Sequence, residues 1–574
     1  MLFATGITPE PMGDIIESYS TLMVELACEI YEVATAEGVT LEAFDNVRPE
    51  IYYPREGRRP AEVDVTIAML VAHRRRNAMK RSGVWRDLAV RHVPTEVDSQ
   101  LGLAIEIGSG WRLKLPLTRR LVELVHSIEQ GKIGLSIQNV EVLEAKRQEL
   151  IRDPPDPWER VALKKETKSL RASKYHGYKS YQYLTPGRDY KEFKLCAEVD
   201  RVPSRAVATT PEEGKRVEQI LDVGPIISLH DHPSVMPEQI VDELFDYRRH
   251  GRDFTGFEGL SRSGLDLVID NLGDGEGLIT SLHGWKWDET IYDIGMRLCD
   301  LAHQDFVRVV RHLGELESAR REGQVGIALG IESAAPIENE LDRLDILYGL
   351  GVRSVGISYN GANHLGSGLG EAVDGGLTTF GHRAVERMNQ LGMLMDLSHA
   401  GDQTSLDTIR ASKAPVCISH AGARTLWPTR RMKPDDVLRA LADGGGVIGI
   451  EAAPNTTVTR TERRHTLNSI MEHFEYCVNL IGIDHVGFGP DTTFGDHVGF
   501  HHAVVDWFGA QAAATSEQFE AVEWVDGVES PAESFPNIVR WLVTHGYSDE
   551  DILKAVGGNI HRLLEATWDD PIGR

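Results

Sequence analysis

The sequence has 574 residues, a net charge of −26 and 41% hydrophobic residues. This length predicts two or three domains, and the hydrophobic content is that of a globular protein. The acidic charge argues against nucleic acid as a partner, and no apolar run is long enough for a transmembrane helix. The five cysteines are scattered without CxxC spacing, so we expect no disulfide framework. No secretory pattern opens the chain, and we therefore expect a cytoplasmic protein.

The first part of the chain, residues 1–150, is predicted to be an all-α helical domain. Apolar residues recur at helical spacing from Asp14 to Gly38, and Pro116 is a favourable first residue for a further helix. The Asp-Pro-Pro-Asp-Pro sequence after Arg152 indicates a linker, and a Tyr- and Lys-rich stretch follows it. We therefore assign residues 151–223 to a linker or arm.

The remaining residues, 224–574, alternate apolar runs with helical patterns. The apolar runs are continuous, as expected for parallel strands that are buried on both faces. One long helical stretch, from Trp285 to Glu322, is predicted between two of them. Regular alternation of strands and helices indicates a parallel (β/α)8 barrel. The predicted fold class is thus α/β, with a (β/α)8 barrel preceded by the all-α helical domain.

Polar side chains end most of the predicted barrel strands. Because residues i and i+2 of a strand face the same side, His230 and His232 are expected to point together and Asp231 away from them. Two S-H-A-G sequences, one βα unit apart, put two further histidines at neighbouring strand ends. In such barrels this rim carries the chemistry. The alternative is a set of unrelated polar caps and turns. The strand-end residues are His230, His232, Glu332, Tyr359, His399, His420 and Asp491.

The same motifs resemble those of one enzyme family. They are the H-x-H strand end, the Ile-Glu at 331–332, MDLSHAG, CISHAGAR, the R-x-x-P-D-D beginning at Arg431, GFGPD, and the closing FPNIVRWLVTHGYSDEDILKAVGGNIHRLL. They occur in the family's order from about residue 170 to residue 574. This part of the chain resembles the membrane (renal) dipeptidase family of zinc metallopeptidases, within the amidohydrolase-type barrels.

The resemblance implies a site with two divalent metal ions. His230 and His232 would hold one ion, His399 and His420 the other, and Glu332 would bridge them. Imidazole and carboxylate ligands suit Zn²⁺, with Mn²⁺, Co²⁺ or Fe²⁺ as alternatives. Paired ions lower the pKa of a bridging water and polarise the substrate carbonyl.

The resemblance also implies roles in catalysis and in substrate binding. Asp491 would take the proton of the attacking water and pass it to the leaving amine, and would also be a metal ligand. Tyr359 would donate to the developing oxyanion, and together with Asn360 would bind substrate. Arg431, rather than its neighbour Arg430, would pair with the terminal carboxylate of the substrate.

The sequence departs from the family in three places. The first strand ends in H-x-H where renal-type members have H-x-D, which lowers the ligand charge. Tyr359 stands where the family has a substrate-facing histidine. Nothing in the renal enzymes resembles the first 150 residues. None of the three departures removes the metal site, but each puts simple dipeptides in question as the substrate.

The N-terminal region has a resemblance of its own. Lys80 to Asp98, KRSGVWRDLAVRHVPTEVD, and the later GSGWRLKLPLTRRLVELVHSIEQG are similar to the C-terminal helical domain of ketopantoate reductase. Ser82, Asp87 and Glu96 match a neighbourhood that helps to bind a keto acid in those reductases. The nucleotide-binding domain and the catalytic lysine have no counterpart, so hydride transfer is not expected. The alternative is a helical module for dimerisation or docking.

Three hypotheses for function remain open from the sequence. The first is a binuclear metal-dependent hydrolase that cleaves the amide bond of a dipeptide or a dipeptide-like, carboxylate-bearing molecule. The second keeps the barrel and metals but changes the reaction to hydrolysis of an N-acyl amino acid, lactone or cyclic amide, or to decarboxylation. The third is a non-catalytic binding protein that uses the helical module. We expect a small-molecule substrate, no nucleic-acid or membrane partner, and a homo-oligomer.

Overall fold

The computed structural model describes residues 2–36, 39, 49–53, 60–76, 80–110, 113–152, 174–272, 286–508, 514–529 and 531–569. The chain forms two compact units, Met1–Glu166 and Thr167–Arg574. Across the described residues, no helix is both long enough and apolar enough to cross a membrane.

The first unit is built from helices. The helix that begins at Pro116 shows why: its buried residues Leu117, Leu121, Leu124 and Val125 recur at helical spacing and join the core of this unit. The predicted helix start at Pro116 is confirmed, whereas the predicted stop at Gly38 lies outside the described residues. The helices are Leu2–Gly6, Met12–Ser18, Ser20–Ala36, Pro49–Tyr52, Pro60–Arg76, Gly83–Arg86, Leu103–Gly110, Pro116–Glu129 and Ile137–Arg152, with π-helical turns at Asp87–Arg91 and Asp98–Gly102.

The second unit contains a long, mostly parallel sheet. Its strands Val325–Ile331 and Val447–Ile450 are apolar and buried along their length, as continuous apolar segments between helices should be. The strands are β1 Ile227–Val235, β2 Phe254–Thr255, β3 Leu267–Leu272, β4 Val307–Val309, β5 Val325–Ile331, β6 Val352–Gly356, β7 Leu394–Asp396, β8 Cys417–Ala421, β9 Val447–Ile450, β10 Val486–Phe488 and β11 Thr493–Phe494.

The sheet closes on itself. Neighbouring strands run in the order β10-β9-β8-β7-β6-β5-β3-β1-β11, and β11 follows β10 after four residues of chain. Between β10 and β11, the backbone N–H of Asp491 donates to the carbonyl oxygen of His230 at 3.0 Å. The β10–β11 segment therefore acts as the eighth strand of the barrel and lies beside β1. The predicted (β/α)8 barrel is confirmed.

Helices surround the barrel and cover one of its ends. Apolar residues from six strands meet in one cluster with Ile560, Leu563 and Leu564 of the last α-helix. The helices are Pro211–Val223, Ile240–His250, Phe257–Arg262, Trp287–Leu301, Leu313–Arg321, Asp342–Gly349, Thr379–Leu391, Asp402–Ala411, Asp435–Asp443, Leu467–Ile481, His497–Phe508, Pro531–Thr544, Asp549–Leu553 and Asn559–Leu564, with shorter turns at Ala335–Ile337, Ile483–His485, Lys554–Gly558 and Glu565–Asp569.

The predicted long helix from Trp285 to Glu322 is wrong. The chain leaves the helix Trp287–Leu301, forms the strand β4, and begins a second helix at Leu313. In β4 the β-branched Val307 and Val309 pair in parallel with Val325 and Ile327 of β5. Strand pairing at the sheet therefore outweighs the helical periodicity of the surrounding sequence.

The Tyr-rich segment before the barrel lies against it. The side-chain hydroxyl of Tyr178 and the backbone N–H of Tyr181 both donate to the Asp300 carboxylate at 2.8 Å. Ser180 donates to the other oxygen of the same carboxylate. Asp300 is fully buried, so this segment supplies the hydrogen bonds that a buried charge requires.

Candidate metal centre

Six side chains of the predicted site meet at the carboxyl-end rim of the barrel. His230 and His232 lie within β1, the other four lie in the last residues of a barrel strand or just after one, and all six are less than 10% exposed. Their ligand atoms form two groups that share one end of the barrel. The six residues are His230, His232, Glu332, His399, His420 and Asp491.

The first group joins β1 to the end of β10. The Nε2 atoms of His230 and His232 lie 3.1 Å apart. Asp491 Oδ1 lies 3.1 Å from the Nε2 atom of His232 and 3.4 Å from that of His230. The pairing of β1 with β3 shifts register between Ser228 and Asp231, and such bulges re-aim the side chains beyond them. His230 and His232 thus face the same space, as predicted.

The second group is centred on Glu332. Its Oε1 atom lies 3.0 Å from His399 Nε2 and 3.1 Å from His420 Nε2, and these two nitrogens are themselves 3.1 Å apart. The same carboxylate oxygen lies 3.9 Å from His230 Nε2. Glu332 therefore stands between the two pairs of imidazoles.

The outer nitrogens of three imidazoles are held by polar side chains. Asn271 lies 2.7 Å from His230 Nδ1, Asn360 lies 2.9 Å from His399 Nδ1, and Ser419 lies 2.7 Å from His420 Nδ1. With Nδ1 occupied in this way, each ring directs Nε2 into the barrel mouth. This is the arrangement that orients metal-ligating histidines.

One buried aspartate organises both S-H-A-G strand ends. Asp396 accepts hydrogen bonds from the hydroxyls of Ser398 and Ser419, each at 2.6 Å. The Ser398 hydroxyl also accepts the backbone N–H of His420 at 3.0 Å. Asp396 therefore fixes the backbone beside both histidines of the second group.

The electrostatics favour neutral imidazoles beside an ionised carboxylate. Burial, followed by the nearby Arg431 cation, holds the pKa of His399 well below its usual value. Burial and the neighbouring His230 do the same to the pKa of His420. Burial alone would raise the pKa of Asp491, but His420 and hydrogen bonds from the β1 histidines hold it well below its usual value. Neutral imidazole and ionised carboxylate are the forms that bind metal.

The donor set fits divalent metal. The buried imidazole nitrogens and carboxylate oxygens approach one another within hydrogen-bond distance. Without a cation between them, hydrogen-bond acceptors would face each other in a buried site, which is unfavourable. A cation between them removes that conflict, and this mixture of nitrogen and oxygen ligands suits zinc and the neighbouring transition metals.

Asp231 faces away from the histidine pair, as predicted. Its Oδ1 atom accepts the backbone N–H of Thr492 at 2.9 Å and the Thr492 hydroxyl at 2.8 Å, and the Ser228 hydroxyl donates to Oδ2 at 2.5 Å. Burial raises the pKa of Asp231 to about 6. Asp231 thus links β1 to the β10–β11 segment, the first barrel strand to the eighth.

The residues predicted to bind substrate lie at the same rim. Tyr359 stacks on His399 with ring centroids 4.1 Å apart, and Asn360 contacts the same ring. Arg431 is 6% exposed and pairs with Glu451, whereas Arg430 is exposed and donates to the carbonyl of Glu371. Of the two adjacent arginines, Arg431 is therefore the one whose charge is buried beside the metal-type ligands.

Sequence reasoning missed Glu451, the residue that immediately follows β9. It is fully buried, and its carboxylate lies within 4.8 Å of ligand atoms of His420 and Asp491. Burial raises its pKa to about 7, against the opposing effect of Arg431. A signal was available: the apolar strand ending Gly-Ile-Glu occurs at Glu332 and again at Glu451. Asn271, Asp396 and Ser419 were also missed.

The three residues singled out in the helical unit make local contacts. Ser82 accepts the backbone N–H of Trp85 and caps the helix Gly83–Arg86. Asp87 pairs with Arg91, and Glu96 accepts from the side chain of Gln100. These contacts support the helices in which they occur, and none of them joins one of the three residues to another.

Two family models match the chain in separate parts. The model for membrane dipeptidase (peptidase family M19) matches residues 289–503, and the model for the ketopantoate reductase C-terminal domain matches residues 3–129. Both predicted resemblances are confirmed. The dipeptidase match contains Glu332, His399, His420 and Asp491, while the H-x-H of β1 precedes it.

Individual relatives agree with the family models. Dipeptidase aclJ of Aspergillus oryzae is 30% identical over 244 residues, which are 42% of this chain and 51% of the relative. Dipeptidase tcpJ of Claviceps purpurea is 29% identical over 279 residues, which are 48% of this chain and 59% of the relative. The chain thus spans little more than half the length of these relatives. An amidohydrolase structure from Pseudomonas aeruginosa is matched over 62% of this chain and 99% of its own, with 26% identity and a TM-score of 0.51.

Proposed function

We propose that this protein is a metal-dependent hydrolase that cleaves an amide bond in a dipeptide or a dipeptide-like molecule. The observation that carries the proposal is the convergence of four buried imidazole nitrogens and two carboxylates at the rim of the barrel. The dipeptidase family model and the dipeptidase relatives support the same chemistry.

We propose two divalent ions, most naturally Zn²⁺, with Mn²⁺, Co²⁺ or Fe²⁺ as alternatives. His230 and His232, with Asp491, would hold one ion, and His399 and His420 the other. Glu332 would bridge them, in keeping with its position between both histidine pairs. When bound, such ions lower the pKa of a water molecule and polarise the scissile carbonyl.

The protein's own residues would guide the proton and orient the substrate. Asp491, whose carboxylate stays ionised, would accept the proton of the attacking water and return it to the leaving amine. Tyr359, stacked on His399, would donate its phenolic hydroxyl to the oxygen that develops negative charge. Arg431 would face the carboxyl-terminal end of the substrate, with Asn360 at the same edge.

A second candidate keeps the same metal centre but attacks another bond, in an N-acyl amino acid, a lactone or a cyclic amide. The contact between Arg431 and Glu451 supports considering it, because a guanidinium that is already paired is a poorer receptor for a free carboxylate. The amidohydrolase match is compatible with either bond.

We propose a homo-oligomer, with the helical unit as a dimerisation or docking module. We also propose a cytoplasmic location, which the five free cysteines support because a reducing compartment keeps thiols unpaired.

The test is hydrolysis by the metal-loaded full-length protein and two variants. His230→Ala should remove a ligand, and Asp491→Asn the proton carrier, each lowering kcat/KM at least roughly 100-fold. The matched control is His303→Ala, which removes an exposed histidine whose Nδ1 lies 2.7 Å from the backbone carbonyl oxygen of Cys299 in the preceding helix. Full activity in folded His230→Ala and Asp491→Asn would overturn the proposal.

A substrate panel separates the two candidates. It contains free dipeptides, N-acyl amino acids, lactones and cyclic amides, all at equal concentration and with the same metal. Preferred turnover of dipeptide amide bonds supports the first candidate. Turnover confined to the other classes supports the second.

A further inference from the structure

A buried carboxylate stands beside the arginine that would face the end of the substrate. Glu451 has no exposed surface, and its Oε2 atom contacts the Arg431 guanidinium. The backbone N–H of Glu451 donates to the carbonyl oxygen of Ala421 at 3.1 Å. The Thr457 hydroxyl donates to the backbone carbonyl oxygen of Glu451 at 2.8 Å. The residue is therefore fixed on both sides at the rim.

The second carboxylate oxygen of Glu451, Oε1, is not the one that contacts Arg431. Within the described part of the chain, Oε1 is buried and makes no hydrogen bond. The Glu451 carboxylate also lies close to His420 and Asp491. A buried acceptor without a donor is costly, and such atoms in native proteins generally meet a ligand or a solvent molecule.

This arrangement disfavours a free carboxylate at Arg431. A substrate carboxylate would have to displace or share the guanidinium with Glu451, and two carboxylates in a buried site repel each other strongly. A neutral group that both accepts and donates hydrogen bonds meets no such repulsion. Its oxygen can accept from Arg431 while its N–H donates to Glu451 Oε1.

We infer that Glu451 determines specificity by making the Arg431 end of the site select a neutral carboxamide over a free carboxylate. The inference rests on the proposed hydrolase function and narrows its substrate class to dipeptide-like molecules whose carboxyl end is amidated or otherwise carries a neutral amide. In its ionised form, which the contact with the Arg431 guanidinium favours, Glu451 acts here as a hydrogen-bond acceptor, with no bond to metal.

The test compares one dipeptide with its own C-terminal carboxamide, such as Gly-Ala and Gly-Ala amide. The quantity measured is the ratio of the two kcat/KM values, which is independent of the fraction of active protein. The unmodified protein should favour the carboxamide at least tenfold. In Glu451→Gln, which removes the charge and keeps the shape, the ratio should move toward the free acid by roughly 100-fold.

The matched control is Glu529→Gln. Glu529 is also buried and paired with an arginine, Arg201, outside the residues assigned to the site. Its substitution should leave the ratio unchanged. An unchanged ratio in Glu451→Gln would overturn the inference, as would loss of a bound metal ion from that variant, because Glu451 would then be a ligand.

A binding measurement separates this inference from the hydrolase proposal. Alaninamide and alanine, which represent the carboxyl half of each substrate, are titrated calorimetrically into the metal-loaded protein. Tighter binding of alaninamide, reversed in Glu451→Gln, supports the inference even if neither dipeptide is cleaved. Cleavage of dipeptides together with tighter binding of alanine would overturn the inference and leave the hydrolase proposal standing.

Discussion

The two units of the chain each bury a glutamate, and they use it in opposite ways. In the helical unit, Glu29 accepts the backbone N–H groups of Leu117 and Thr118 at 3.0 and 2.7 Å, and the Thr118 hydroxyl at 2.7 Å. These groups open the helix Pro116–Glu129, so the carboxylate caps it. In the barrel, Glu332 instead lies against two histidine rings.

The difference shows how to tell a structural charge from a functional one. Free N–H groups at a helix start need an acceptor, and Glu29 supplies it from within the fold. Imidazole nitrogens and a carboxylate that converge on one point do not satisfy one another in the same way. They require a cation or protons from outside the fold. The comparison predicts that Glu29 matters for stability and Glu332 for activity.

The largest expected effect is that of Glu332→Gln on activity. Loss of the bridging negative charge should weaken metal binding and reduce kcat/KM by roughly a thousandfold or more, since each 1.4 kcal/mol of lost transition-state stabilisation is tenfold in rate. Steady-state hydrolysis at saturating zinc measures the effect. Equal loss of activity in Glu29→Gln, corrected for folded protein, would break the comparison.

The converse substitution, Glu29→Ala, should act on stability alone. It leaves buried donors at a helix start without their acceptor, which costs about 3 kcal/mol of unfolding free energy for the helical unit. Urea denaturation followed by circular dichroism measures this, with kcat/KM of the folded protein as the second readout. An unchanged denaturation midpoint would show that the cap is dispensable.

A smaller effect is expected one step away from the metal centre. Ser419→Ala removes the hydroxyl that links His420 Nδ1 to Asp396, and metal affinity should fall roughly 10- to 100-fold. Competition with a chelator measures the affinity. Ser263→Ala is the control, because that buried hydroxyl donates to the carbonyl of Leu260 in the helix that Ser263 follows. Equal affinities in both variants would mean that Ser419 does not orient the ligand.

The smallest effect concerns pH and two buried histidines outside the proposed ligands. Burial lowers the pKa of His465 to about 3 and that of His473 to about 4. In the unfolded chain these two imidazoles bind a proton at the ordinary histidine pKa of about 6.5. Their contribution to the free energy of unfolding is therefore complete above about pH 6.5. It is lost as the pH falls toward the folded-state values, by about 1.4 kcal/mol per histidine and pH unit.

Urea midpoints of the metal-free protein between pH 7 and pH 5 test this slope. The midpoint should fall with pH, and the fall should be shallower in His473→Gln. Replacement of the exposed His250 by Gln provides the control. Parallel slopes in the unmodified protein and in His473→Gln would contradict the assignment.

The fold followed from patterns that are local in the sequence. Continuous apolar runs predicted buried strands, and the polar residue ending each run predicted the rim, because the carboxyl ends of parallel strands meet on one side of a barrel. For this reason, His230, His399 and His420 could be chosen before their distances were known. The H-x-H spacing was enough to expect a shared direction for His230 and His232.

What the sequence left hidden depends on contacts between distant residues. The strand β4 forms because Val307 and Val309 pair with β5, and the local sequence periodicity does not indicate that pairing. Asp396 and Ser419 matter because their strands are neighbours, where the serine joins the aspartate to His420. Glu451 shares the Gly-Ile-Glu ending of Glu332, but its partner Arg431 is fixed only by the folded barrel.

The most direct test of the metal centre is the metal content of protein purified without chelator. Elemental analysis should find about two zinc-like ions per chain, and fewer in His399→Ala and His420→Ala. Absence of metal from the unmodified protein, even after incubation with zinc or manganese, would contradict the account.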